Sequence, residues 1–160
     1  MRRILLSIFV VTLALFAFSS FTLAQKDNDK DKNKMKMKDH GGGLLETMLT
    51  GAAEVPGPGD TDGSGAVKIT LNPSKNEVCY EVSVKNIQTA TMAHIHAGAA
   101  GQAGDVKVKF DSPTSGKSKG CVSADQTLIM DIMQNPANYY VNVHNAEFPN
   151  GALRGQLAKK

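Results

Sequence analysis

From residue 44 onward the chain alternates apolar and polar residues in short runs, each bounded by Gly, Pro, Asn or Asp. The segment EVCYEVSV (77–84) is the clearest, with Val78, Tyr80, Val82 and Val84 at every second position. A two-residue period places all four on one face of a strand. LETMLTG (45–51), AVKITL (66–71), MAHIH (92–96), VKVKF (106–110), YYVNVH (139–144) and ALRGQL (152–157) also read as strands. Between them lie turn sequences. AAEVPGPGDTDGSG (52–65) is too rich in Pro and Gly for a helix, and NPSKN (72–76), AGAAGQAG (97–104) and NAEFPNG (145–151) follow the same turn chemistry. One segment breaks the period. In SADQTLIMDIMQN (123–135), Leu128, Ile129, Ile132 and Met133 keep helical spacing, and Pro136 stops the run. Many short strands, tight turns and a single helix predict an all-β fold: an antiparallel, Greek-key-like β-sandwich or barrel with one short helix.

The first residues follow another pattern. MRRILLSIFVVTLALFAFSSFTLAQ places Arg2 and Arg3 before an apolar run from Ile4 to Phe18, with small and polar residues up to Ala24. This is the layout of a secretory signal peptide over residues 1–24, and the run is short for a membrane span of ~20 residues. Residues 25–43 hold charges of both signs, no aromatic residue, and Met35 and Met37 as their only large apolar side chains. Such a segment cannot bury enough surface to offset ordering, so a flexible, disordered linker is expected. Met35, Met37 and His40 also suit soft metal ions, but a solvated charged run is the commoner meaning. Residues 44–160 are then one folded domain of an exported chain, secreted or periplasmic, with no membrane span once mature. The net charge of +3 includes the arginines of the leader, and no aromatic-interleaved basic patch occurs. Both facts argue against a nucleic-acid partner.

Alternation also sorts the chemistry. In MAHIH, Ala93 and Ile95 share one face and His94 and His96 the other. In YYVNVH, Val141 and Val143 oppose Asn142 and His144; in ALRGQL, Leu153 and Leu157 oppose Arg154 and Gln156. With the apolar set turned to the core, three histidines and an arginine face outward, on the wall of the sandwich and under its loops. Histidine is the commonest metal ligand, so His94, His96 and His144 form a candidate site for copper or zinc. The alternative is a hydrogen-bonded polar cluster that pins loops to the wall. Glu54, Asp105 and Glu147 are candidates for a further ligand, and spacing selects none of them. Arg154, a cation beside a cation, suits drawing in an anionic ligand better than holding metal. Cys79 and Cys121 are the two cysteines, and in an exported chain a disulfide between them is expected. Tyr139 and Tyr140 open a strand and are expected to anchor a sheet edge, one inward and one outward. No nucleophile elbow, Walker loop or paired carboxylates occur, so an enzyme is the least supported class.

LTGAAEVP, AHIHAGAAGQAG and YYVNVHNAEFPNGALRGQL resemble the signature segments of the CHRD domain, first named from chordin and also found singly in exported microbial proteins. The likeness runs from Leu44 to Leu157 and includes the positions of Cys79 and Cys121. It implies an extracellular or periplasmic module with a protein or matrix partner, and no single accepted activity. A more distant likeness is to Cu/Zn superoxide dismutase: His-x-His after a long strand, a glycine loop, then a late strand histidine followed by G-x-x-R-G. That resemblance implies a Greek-key sandwich with copper outside its wall, His94, His96 and His144 as copper ligands, and Arg154 as an anion guide. The chain departs from it in having four histidines in all, one of them His40 in the linker, and no His-rich loop after His96. The zinc subsite and the bridging histidine of that family are absent, so its ordinary dismutase chemistry is not implied. Two readings stand. One is an exported CHRD-domain protein that binds copper or another transition metal through three histidines. The other is an extracellular interaction module whose His/Arg cluster is structural.

Overall fold

A computed structural model describes residues 42–160. The expected leader, residues 1–24, and linker residues 25–41 lie outside the described residues; Gly43, the last linker position, already opens the first strand. The strands are β1 (Gly43–Thr50), β2 (Ser64–Asn72), β3 (Glu77–Lys85), β4 (Ala90–Ala97), β5 (Val106–Phe110), β6 (Lys117–Ser123), β7 (Tyr139–Asn145) and β8 (Leu153–Gln156). A helix, α1 (Gln126–Gln134), precedes β7. The eight strands form one sheet in the order β5-β4-β7-β8-β1-β2-β3-β6, and every ladder in it is antiparallel. Strands β1 to β3 form a meander, while β7 inserts between β4 and β8 and β6 returns beside β3 through longer connections of the Greek-key kind. The sheet curls until its end strands, β5 and β6, meet without a ladder between them. The result is the nearly closed antiparallel barrel that alternation predicts.

The apolar set of each strand fills the interior. On β3, Val78, Tyr80, Val82 and Val84 are buried, whereas Glu81 and Lys85 are exposed. Each fully buried aliphatic side chain contributes about 1.5–3 kcal/mol relative to water. Helix α1 closes over β2 and β3 with Ile129 and Ile132 buried, and the Asp125 carboxylate caps its start by accepting from the N–H groups of Thr127 and Leu128. Among the described residues no helix is long and apolar enough to cross a membrane.

Strand β6 lacks apolar alternation because its inward residues are Ser118, Gly120 and Val122. The glycine has a reason. Gly120 pairs with Tyr80 in the ladder, and a Cβ on it would stand 2.7 Å from the Tyr80 oxygen. Across that gap the Tyr80 ring stacks on Phe110 of β5, with centroids 4.3 Å apart. Its hydroxyl donates to Asp111 Oδ2 at 2.9 Å and accepts the Asp111 N–H at 3.0 Å. One side chain of β3 therefore ties the opposite end strand across the seam. Both end strands also carry exposed lysines, Lys107 and Lys109 on β5 and Lys117 and Lys119 on β6. Charge at a sheet edge obstructs pairing with another chain.

Cys79 and Cys121 are a ladder pair on β3 and β6, with Cα atoms 3.9 Å apart, and they form the expected disulfide. The expectation for Tyr139 and Tyr140 needs correcting. Their strand, β7, lies between β4 and β8 and not at an edge, and all of its residues are buried. The crossover from α1 carries it into the sheet's interior, where Tyr139 joins the hydrophobic core and Tyr140 turns to the opposite face.

Candidate metal centre

Three neighbouring strands set the frame of the site. His94 on β4 stands opposite Asn142 on β7, and Asn142 opposite Arg154 on β8. One pair along, His96 faces Tyr140 and Tyr140 faces Gln156, while Met92 faces His144 on the other side. Residues paired across a ladder share a face. The polar set therefore lies opposite Ala93, Ile95, Val141, Val143 and Leu153, as alternation predicts. Its exposure is another matter. His94 and His96 are 8% exposed, His144 7% and Arg154 2%, because loops from three parts of the chain fold over this face of the sheet.

Those loops are fastened by the site residues themselves. The Nδ1 atom of His96 lies 2.9 Å from the Gly104 carbonyl oxygen, and Nδ1 of His144 lies 3.0 Å from that of Pro149. A carbonyl only accepts, so each Nδ1 carries the proton and each Nε2 keeps its lone pair. Both Nε2 atoms are buried without a hydrogen-bond partner, and so is Nδ1 of His94. One ring nitrogen from each histidine lies within 4.8 Å of the other two. Two nitrogens bonded to one ion at ~2.1 Å stand at most ~4.2 Å apart, so the three rings close on an ion by moving less than about an ångström each. An unpartnered buried polar atom costs about 1–3 kcal/mol, and each of these three clustered rings carries one. The donor set fits copper or zinc.

Burial acts on the protonation of two of the rings. Burial, reinforced by the positive charge that His144, His96 and Lys109 would carry, pushes the pKa of His94 from 6.5 down to about 4. Burial also lowers His144, against the opposing effect of its bond to Pro149. A neutral imidazole is the form that binds metal.

None of the three carboxylates considered as a further ligand joins the histidines as a group within that 4.8 Å. Asp105 pairs with Lys107 at 3.6 Å with its side chain 90% exposed, and Glu147 accepts from Gln88 at 2.8 Å on the surface. Glu54 comes nearest in role. It is buried, and its Oε2 accepts from Asn142 Nδ2 at 3.1 Å. Burial raises its pKa to about 7, opposed by that bond, by the charge of Arg154 and by the Val55 N–H. Gly151, at φ 143°, makes room for it: a Cβ there would sit 2.4 Å from Glu54 Oε2.

Arg154 lies over the Tyr140 ring, 3.5 Å from its centroid, and donates to the Ala99 carbonyl at 2.9 Å. The same ring stacks against His96 with centroids 4.9 Å apart, and its hydroxyl accepts the Gly104 N–H at 3.2 Å. Arg154 and Tyr140 thus hold the glycine loop over the histidines. Alternation signalled Tyr140 and Asn142 by their face; nothing periodic marked Glu54, which lies in a Pro/Gly loop.

The three segments around Glu54, His94–His96 and Tyr140–Gln156 meet in this one polar layer. No curated protein and no solved structure matches the chain. The family model of the CHRD domain does, over residues 45–157, which takes in every strand of the barrel except Gly43 and Leu44 at the start of β1. The chain belongs to the CHRD domain family.

Proposed function

We propose that this chain is an exported, extracellular or periplasmic CHRD-domain protein that binds copper, or zinc in its place, through His94, His96 and His144. The observation that carries the reading is that three buried histidines each bring a ring nitrogen within 4.8 Å of the other two and each keep a buried, unpartnered ring nitrogen, with two of the rings fixed in tautomer by loop carbonyls. Such an ion would supply Lewis acidity and, as copper, one-electron redox chemistry. Burial keeps the imidazoles of His94 and His144 neutral and shields all three rings from water, while Arg154 offers positive charge to an anionic ligand. Export is supported by the leader pattern and by the disulfide, which suits an oxidising compartment.

The test is titration of the purified mature protein with Cu(II) and Zn(II) against a competing chelator. One equivalent per chain is expected. His96→Ala should weaken binding at least about 100-fold, and Arg154→Ala should leave it intact or tighten it. N-terminal sequencing of secreted material should begin near Gln25. Failure to bind an equivalent of either metal would overturn the metal reading.

A second reading draws on the carbonyl contacts of His96 and His144, which pin loops as a purely structural cluster would. The domain would then be an interaction module for an extracellular protein or matrix component. His96→Ala would in that case loosen the 98–104 loop to proteolysis with no metal effect.

A further inference from the structure

A second group of metal-ligating side chains stands on the outer face of β3 and β6 and shares no residue with the histidine cluster. Glu77, Cys79 and Cys121 each present a ligand atom within 4.8 Å of the other two. Glu77 Oε2 lies 3.5 Å from Cys79 Sγ, and the Asn72 amide approaches the same oxygen at 3.5 Å. Cys121 is exposed, and the disulfide borders a cavity of about 100 Å³ that Lys68 and Lys119 also line. The ladder around the pair runs unbroken from Glu77↔Ser123 to Ser83↔Lys117, so backbone pairing holds the two strands on either side of the disulfide.

We propose that reduction of Cys79–Cys121 turns this group into a site for a soft, thiophilic ion of the Zn(II) or Cd(II) kind. The reductant is an external dithiol. It surrenders two electrons and two protons as its own sulfurs join, while the Cys79–Cys121 bond breaks to give two thiols. The incoming ion displaces both thiol protons to solvent, forms two metal–sulfur bonds, and takes a third bond from the Glu77 carboxylate. Two sulfurs on one tetrahedral ion stand about 3.8 Å apart, a separation that directly opposed residues on paired strands can supply. Two thiolates and a carboxylate exceed the charge of a divalent ion by one; Lys119 is paired with Glu81 at 3.1 Å, and Lys68 on the same cavity supplies the offsetting charge. The reading is independent of the histidine site.

The experiment uses the mature chain, reduced with dithiothreitol, desalted without oxygen and titrated with Cd(II). A thiolate-to-cadmium charge-transfer band should grow and saturate at one equivalent; histidines cannot produce it, and oxidised protein should show none. Cys121→Ser, which keeps one thiolate, should shrink the band and weaken Cd(II) binding at least about tenfold. Glu77→Gln should weaken Cd(II) binding at least about tenfold while both thiols remain titratable by a thiol reagent. No band in the reduced protein, or Glu77→Gln binding as tightly as wild type, would overturn the proposal. So would a reduced chain that loses its β-sheet circular dichroism and does not regain it with Cd(II).

Discussion

Burial shifts Glu54 and His94 in opposite directions, although Asn142 joins them, bonded to the first and paired with the second. The carboxyl is raised from 4.5 to about 7, so between these values the unfolded chain has lost a proton that the folded chain keeps. Its effect is to lower stability as pH rises through that window. The imidazole is lowered from 6.5 to about 4, so there the unfolded chain holds the extra proton, and stability rises with pH. Between about pH 4.5 and 6.5 the two slopes oppose each other. Glu54→Gln removes one of them. Urea unfolding of the metal-free variant should show stability climbing with pH more steeply than in wild type, by up to about 1.4 kcal/mol per pH unit. Equal slopes would mean that Glu54 is ionised in the fold. The faces of His94, His96, His144 and Arg154 were legible from period-two alternation alone. Their burial was not, because it depends on loops whose Gly, Pro and Ala residues carry no period.

Among the elements, β3 and α1 announce themselves, the first through Val78, Tyr80, Val82 and Val84 and the second through Ile129 and Ile132. Strand β6 is silent, since the position facing Tyr80 must be small and the next inward residue is a serine. The seam gives that silence an energetic meaning. Tyr80→Phe leaves the Asp111 N–H without its protein partner and should cost about 1–3 kcal/mol in denaturant unfolding, with the β-sheet spectrum intact. Gly120→Ala should cost at least as much, because its Cβ collides with the Tyr80 oxygen. At the other end of β6, Asp125→Ala should remove about 1 kcal/mol by uncapping α1. A Tyr80→Phe protein as stable as wild type would mean that the seam holds without its hydroxyl.

For the whole molecule, alternation gives each strand a face but not its neighbours. The place of β7 between β4 and β8 follows from a crossover that no local pattern encodes. The disulfide acts at this scale too. It joins residues 42 apart, and opening it should release about 3–4 kcal/mol of constraint on the unfolded chain. Typical domains hold about 5–15 kcal/mol, so the reduced protein should unfold at lower urea yet fold without it. Matching urea midpoints with and without reductant would contradict this. The lysines of β5 and β6 have a consequence for a crowded solution of many copies. A barrel with an open seam offers two strand edges, and an edge is where a fibre tip recruits its next subunit. Here each recruit would have to seat lysine against lysine, so the seam that leaves the barrel incomplete is a poor seed for polymer growth.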